Sequence, residues 1–307
     1  MKLSVVIITK NEAENISAAL DSVRWVDDLV VVDSGSIDGT ISIAKQYTDR
    51  VVTHAWEGYG AQKNFATTLA EHDWVLSLDA DERVSRELAI ELRALFDTGP
   101  AHRGYRIPRV TRYLDRWIRT TDWYPDYQLR LYDRRVAQWS DHLVHESVSV
   151  NGPIEYLRSE LEHFAYRNVS QHLATIDRYT TLAAQQMLNN GRQAHTLDLV
   201  LHPLCAFLRN YIARGGFRSG SVGIVVSLLN SYYVFLKFAI KYYLTQIARV
   251  FNLAQLSVIC MSFIDSGFLL AYFLKSLSLK ILFIFFIISK KPIFFLKNIS
   301  YPCSIKI

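Results

Sequence analysis

The first eighty positions carry their hydrophobic residues in short unbroken runs separated by mixed polar stretches. Val5-Val6-Ile7-Ile8, Leu29-Val30-Val31-Val32, Val51-Val52 and Trp74-Val75-Leu76 with Leu78 are such runs. Runs of β-branched residues without alternation predict strands covered on both faces, as in a parallel sheet. Between them, residues 15–25, a segment reaching Tyr47 and residues 62–71 read as helices, and 85–95 as another. Strand and helix alternate with short connections, which predicts a layered α/β domain with a mostly parallel sheet. Residues 99–150 are turn-rich, aromatic and arginine-rich. From about 166 to 255 the pattern is helical; 222–240 is apolar but interrupted by Asn230 and Lys237 and reads as an interfacial or core helix. Residues 255–274, with Asp265 as the single charge, are long enough to span a bilayer, which takes about 20 residues. The organisation expected is a domain over 1–165, a helical region over 166–255 and an apolar, lysine-bearing tail over 256–307.

Charge sharpens this division. The chain of 307 residues has a formal net charge of +5. From Leu256 onward there are six lysines, one aspartate and no arginine, so the whole excess belongs to the tail and the body is neutral. A neutral body argues against nucleic acid as a partner; basic residues in an apolar tail point to a membrane surface. Three widely spaced cysteines without a CxxC pair exclude a disulfide scaffold or zinc ribbon. The four-residue apolar run near the start is too short for the core of a signal peptide.

Candidate chemistry clusters where strands end, which is where ligands bind in such sheets. Asp79-Ala80-Asp81 closes the fourth strand, and two carboxylates at this spacing can share Mg²⁺ or Mn²⁺, although an acidic pair on a turn can also simply be solvated. Asp33 closes the second strand before Gly35; it can accept from a base or ribose, or cap its own turn. Lys63 and Asn64 follow a glycine-containing loop at the start of a helix, where a phosphate finds unpaired N–H groups, but an ordinary surface lysine fits there too. Trp123, Tyr124, Asp126 and Arg130 offer sugar-stacking faces and a phosphate holder, or an aromatic subdomain core. His145-Glu146 supplies a candidate metal ligand and a candidate base, or a surface pair.

Taken together, Ser4–Glu12, Val31-Val32-Asp33-Ser34-Gly35 and Leu78-Asp79-Ala80-Asp81-Glu82 resemble glycosyltransferase family 2 with its GT-A fold. Gln62-Lys63-Asn64, Trp123-Tyr124-Pro125-Asp126 and Val144-His145-Glu146 are similar to the lipopolysaccharide inner-core β-1,4-glucosyltransferases, as are Asn210-Tyr211-Ile212 and the run 214–220. The likeness covers about the first 250 residues and not the tail. It implies an inverting, metal-dependent transfer of glucose from UDP-glucose to a lipid-linked core oligosaccharide, at the cytoplasmic face of an inner membrane, by a peripheral or tail-anchored enzyme. Asp33 then meets uridine, Lys63 and Asn64 line the donor site, and Asp79 and Asp81 face ribose and metal-bound diphosphate. Glu146 takes the base role and His145 sits beside it; Trp123, Tyr124, Asp126 and Arg130 fall on the acceptor side. Ser34 stands where many relatives have a second aspartate. Another donor, a polysaccharide or protein acceptor, and a non-catalytic nucleotide-sugar-binding protein at a membrane are the alternatives. A nucleotidyltransferase is disfavoured, because Lys10-Asn11-Glu12 replaces the glycine-rich loop it needs after the first strand.

Overall fold

The computed structural model describes residues 2–140, 147–189 and 195–262. The chain divides into two compact units, Met1–Thr245 and Gln246–Ile307; of the second, only 246–262 fall within the described residues, as helix.

The amino-terminal half alternates β1 (Leu3–Thr9), α1 (Ile16–Asp21), β2 (Asp28–Asp33), α2 (Thr40–Ala44), β3 (Val51–Thr53), α3 (Tyr59–Thr68) and β4 (Trp74–Asp79). These strands form a parallel half-sheet in the order β3-β2-β1-β4. The unbroken apolar runs have a direct cause: both faces are covered. Leu3, Val5 and Ile7 of β1 pack with Ile16 and Leu20, and with Leu88 and Leu92 of α4 (Arg86–Thr98). Val6 and Ile8 pack on the other face with Ala66 of α3 and Ala70 just beyond it. α4 is set by Ser85, whose hydroxyl accepts the Leu88 N–H at 3.1 Å, with Glu87 in its first turn.

Residues 99–150, read from the sequence as a turn-rich stretch, are largely strand among the described residues. β5 (Glu82–Val84), β6 (Gly104–Tyr113), β7 (Arg116–Ile118), β8 (Asp126–Asp133), β9 (Ala137–Trp139), β10 (Val148–Val150), β11 (Ile154–Tyr156) and β12 (Leu161–His163) follow β4. β8 pairs antiparallel with both β4 and β6, and β12 joins β6 to β5. The alternation was hidden by a bulge. Tyr105 pairs with Leu131 but Arg106 with Leu129, so Arg130 is an extra residue in β8. Leu129 and Leu131 therefore lie on opposite faces although they are two apart.

The remainder is helical: α5 (Val169–Asn189), α6 (Asp198–Leu208), a π-turn Arg209–Ala213, a 3-10 turn Gly216–Ser219 and α7 (Gly220–Ser262). α7 runs straight through Asn230 and Lys237. Asn230 is accommodated because its Oδ1 accepts from Trp123 Nε1 at 3.2 Å and its Nδ2 donates to Asn210 Oδ1 at 3.1 Å. Residues Gly216–Gln246 contain an 18-residue window of mean hydropathy 1.6 and are, by length and composition, long and apolar enough to cross a membrane. Most of the expected span 255–274 lies outside the described residues.

Candidate functional site

β4 delivers Asp79 to the carboxyl edge of the sheet, and three cations converge on it and its neighbours. Lys63 Nζ lies 3.0 Å from Asp79 Oδ1, and Arg130 Nη2 lies 2.5 Å from Oδ2. Arg130 also bonds Glu82 Oε1 at 2.6 Å, which accepts from Arg109 Nη1 at 2.9 Å. Arg109 in turn grips Asp126 Oδ2 through Nε and Nη2, at 2.9 and 2.7 Å, and Gln128 donates to Asp126 Oδ1 at 2.6 Å. Lys63 and Glu82 are fully buried, so neither tolerates the loss of its partner. Burial alone pushes the Asp79 carboxyl up, yet Arg130 and Lys63 outweigh it and hold the group far below the ordinary carboxylate range. Arg130 is driven upward, against burial, by Asp79 and Glu82. Lys63, Arg109 and Arg130 thus face Asp79, Glu82 and Asp126, three charges against three.

Asp81 stands outside this balance. Its side chain is 28% exposed and its Oδ2 is 3.4 Å from His163 Nε2, whose Nδ1 lies 3.2 Å from Thr111 Oγ1. Against burial, His163 lowers the Asp81 carboxyl. Glu12 lies within its field: burial pushes the Glu12 carboxyl up and the charge of Asp81 adds to that, while a 2.7 Å bond from Asn15 opposes them. Among the described residues no group of three or more His, Cys, Asp or Glu side chains converges. Among the described residues, the side-chain donors that meet at Asp81 are its own carboxylate and the His163 imidazole.

The other sequence candidates separate. Asp33 is fully buried, and Oδ1 accepts the Gly35 and Ser36 N–H groups at 2.8 Å each while Oδ2 takes the Ser36 hydroxyl. Gly35, at φ +83°, makes this tight turn possible. The turn is stitched to the β1–α1 loop: Asn11 Oδ1 accepts from Ile37 N and Thr40 Oγ1 accepts from Glu12 N. Ser34 accepts from Gln62 Nε2 at 2.9 Å, and Gln62 Oε1 meets His54 Nδ1 at the same distance. Asn64 points elsewhere. Its amide makes two 2.9 Å bonds to the Trp139 backbone, and Trp139 pairs with Val148. That clamp and the Ser140–Ser147 bonds hold the base of the segment carrying His145 and Glu146, which themselves lie outside the described residues.

Trp123 and Tyr124 belong to another neighbourhood. Trp123 packs edge-on or tilted against Tyr113, Tyr166 and His172, and the Tyr124 hydroxyl shares Glu160 with Arg119. Asp122 beside them is held by Arg209 and Asn210. The cluster borders the cationic site, since the charges of Arg109 and Asp81 both act on Tyr166.

Sequence reading passed over Glu82, Arg109 and His163. Glu82 follows the aspartate pair directly and was visible as a third carboxylate. Arg109 and His163 carry no local signal; the register Arg109↔Asp126 brings in the first, and His163↔Glu82 with His163↔Thr111 the second.

Known proteins resemble this chain along most of its length. The model of the family described as Glycosyl transferase family 2 matches residues 4–151. An uncharacterized glycosyltransferase of Rickettsia felis is 30% identical over 250 residues, covering 78% of this chain and 88% of that protein. The lipopolysaccharide core biosynthesis glycosyltransferase LpsC of Rhizobium meliloti is 28% identical, covering 77% and 90%. Among solved structures, glucosyl-3-phosphoglycerate synthase from Mycobacterium tuberculosis, in complex with Mn²⁺ and UDP-glucose, aligns over 36% of this chain and 43% of that one. Its identity is 27% and its TM-score 0.31.

Proposed function

The chain belongs to glycosyltransferase family 2, and from that premise we propose that it moves glucose, with inversion, from UDP-glucose to a heptose of a lipid-linked lipopolysaccharide core. The proposed place of action is the cytoplasmic face of the inner membrane, and LpsC, a relative along most of both chains, supports the choice of acceptor.

The observation that carries the reading is the charge balance at the end of β4. Three buried or half-buried cations are matched by three carboxylates, and Asp81 remains over, partly exposed and facing His163. A carboxylate oxygen with an imidazole nitrogen suits Mn²⁺ better than Mg²⁺, which prefers oxygen alone, and both ions keep open positions for phosphate oxygens and water. Asp81 and His163 are the residues we assign to hold the ion, with His145 a further donor. When bound, a divalent cation offsets charge on the departing diphosphate. Asp79, with one oxygen on Lys63 and the other on Arg130, acts as a positioning residue that keeps both cations at the donor edge. Asp33 shapes the turn against which the uridine rests. Glu146 takes the proton of the acceptor hydroxyl as its oxygen attacks the anomeric carbon; the bond from that carbon to the diphosphate oxygen breaks, and UDP leaves. Trp123 and Tyr124, both partly exposed, give the acceptor sugar an aromatic face.

The test is UDP release from UDP-glucose with a heptose-bearing core glycolipid, with and without Mn²⁺. Wild type is expected to need both the ion and the acceptor, and Asp81→Asn to lose roughly a hundredfold or more in turnover. Metal-independent turnover overturns the ion's part, and preference for another nucleotide sugar overturns glucose. Donor binding without transfer to any acceptor returns the protein to a binding role.

A further inference from the structure

Helix α6 is built inside out for a helix bathed in water. Leu197, Val200, Leu201, Leu204 and Leu208, continued by Ile212 in the π-turn, recur at three- and four-residue spacing and all face outward, with Leu197 69% and Val200 63% exposed. The opposite face is the one that packs. Ala206 and Asn210 are buried, Asn210 Nδ2 bonds Ala206 O at 2.9 Å, and Ser231 of α7 donates to Pro203 O at 2.8 Å. His202 stacks on Phe238 at 4.3 Å. A continuous apolar stripe of this kind marks a surface that something covers.

We propose that α6 lies in the plane of the membrane surface as the seat of the enzyme, with its apolar stripe at the acyl boundary and Arg214 and Arg218 among anionic headgroups. Length decides its orientation. Residues 198–213 extend about 24 Å as helix, less than the roughly 30 Å hydrocarbon core, so the segment cannot cross and must lie flat. Charge decides the occupant. Between residues 196 and 245 the exposed basic residues are Arg209, Arg214 and Arg218, with Lys237 half-buried, and the single acid is Asp198. A two-fold interface between copies sets like patches against each other, whereas anionic lipid complements this one. The neighbouring stretch Gly216–Gln246 is itself apolar enough for the bilayer.

The seat is joined to the acceptor side of the site. Arg209 bonds Asp122, Arg214 Nε stands 3.8 Å from the same carboxylate, and the Thr121 N–H donates to Arg214 O at 3.1 Å. The turn that carries Trp123 therefore sits against the basic end of α6, where a lipid-borne sugar arrives. This inference rests on the membrane location proposed above and is independent of the donor chemistry.

The test places an environment-sensitive fluorophore on α6 of the full-length chain, at Leu204→Cys with Cys205, Cys260 and Cys303 changed to Ser. The labelled protein is mixed with phosphatidylcholine vesicles, with and without phosphatidylglycerol, and floated. Expected is loss of fluorescence to a quencher on the shallow part of the lipid chain, a smaller loss to a deep quencher, and protection from aqueous iodide, all strongest with phosphatidylglycerol. Floated protein whose probe iodide reaches freely overturns the seat, since attachment then runs through other segments. Deeper quenching than shallow overturns the flat orientation, and iodide protection without lipid quenching assigns the stripe to a second copy. Protein that does not float fails the membrane location itself. A second probe at Val200→Cys, on the same stripe, gives the reading if Leu204→Cys does not fold.

Discussion

At the scale of single residues, the site is governed by which charges are compensated. Arg130 reaches Asp79 and Glu82 only because the bulge in β8 turns it there. Arg130→Met strands the fully buried Glu82 and is expected to cost about 3–5 kcal/mol, the usual result of breaking a buried pair. Thermal unfolding checks it, and a midpoint close to wild type shows that Arg109 alone satisfies Glu82. Asp81 belongs to the opposite category, and Asp81→Asn is expected to fold normally while losing turnover. Glu146→Gln keeps shape and removes basicity, so binding of UDP-glucose is expected to survive while turnover falls by roughly 10²–10⁴. Measured affinity and turnover separate the two effects; a near-wild-type rate assigns the base role to another carboxylate.

At the scale of elements, close backbone approach fixes how α7 begins. A Cβ on Gly223 overlaps the Gly216 carbonyl oxygen, and one on Gly216 meets the Asn210 carbonyl oxygen at 2.8 Å. Neither obstacle is a side chain that can swing away. Gly223→Ala is therefore expected to separate the 3-10 turn from α7 and destabilise the fold by about 1–3 kcal/mol, as overpacking does. A change at exposed Ser221 to Ala serves as the control on the same helix turn. Equal thermal midpoints for the two variants argue against this packing. The strand pattern carries a related lesson. Four parallel strands were legible because covering both faces demands unbroken apolar runs, whereas β6 and β8 carry Arg106, Arg109 and Arg130 within them and were not.

At the scale of the whole molecule, His172 ties α5 to the sheet and makes stability depend on pH. Burial pulls its pKa down from 6.5 to about 4, and its ring stacks on Tyr166 at 4.2 Å with Nδ1 3.2 Å from the Tyr113 hydroxyl. The unfolded chain takes up a proton below about 6.5 and the folded one does not until about 4. The stabilisation is fully present above 6.5 and is lost progressively as pH falls towards 4, to a total of about 3 kcal/mol. His172→Phe, which keeps the stack and removes the titration, is expected to flatten that limb. At neutral pH it is expected to cost about 1 kcal/mol for the Tyr113 hydrogen bond. Thermal midpoints of both proteins from pH 7.5 to 4.5, followed by tryptophan fluorescence, check it; parallel curves place the acid sensitivity elsewhere.

What the chain determined by itself was the parallel half-sheet, the edge at which its acidic turns lie and the identity of Asp33, Lys63, Asp79, Asp81 and Arg130 as residues of interest. Apolar runs, turn residues and acidic spacing are local properties, and local properties survive in one dimension. Only the tertiary structure decided what each of them touches. Pairing of β12 with β5 and β6 brings His163 to Asp81, the bulge aims Arg130 at Asp79, and Asn64 turns away to clamp Trp139. The outward face of α6 was equally hidden, because an apolar helical period looks the same whether it points to the core or away from it. Which side is buried depends on what packs against it, and that is settled by contacts far apart in the chain.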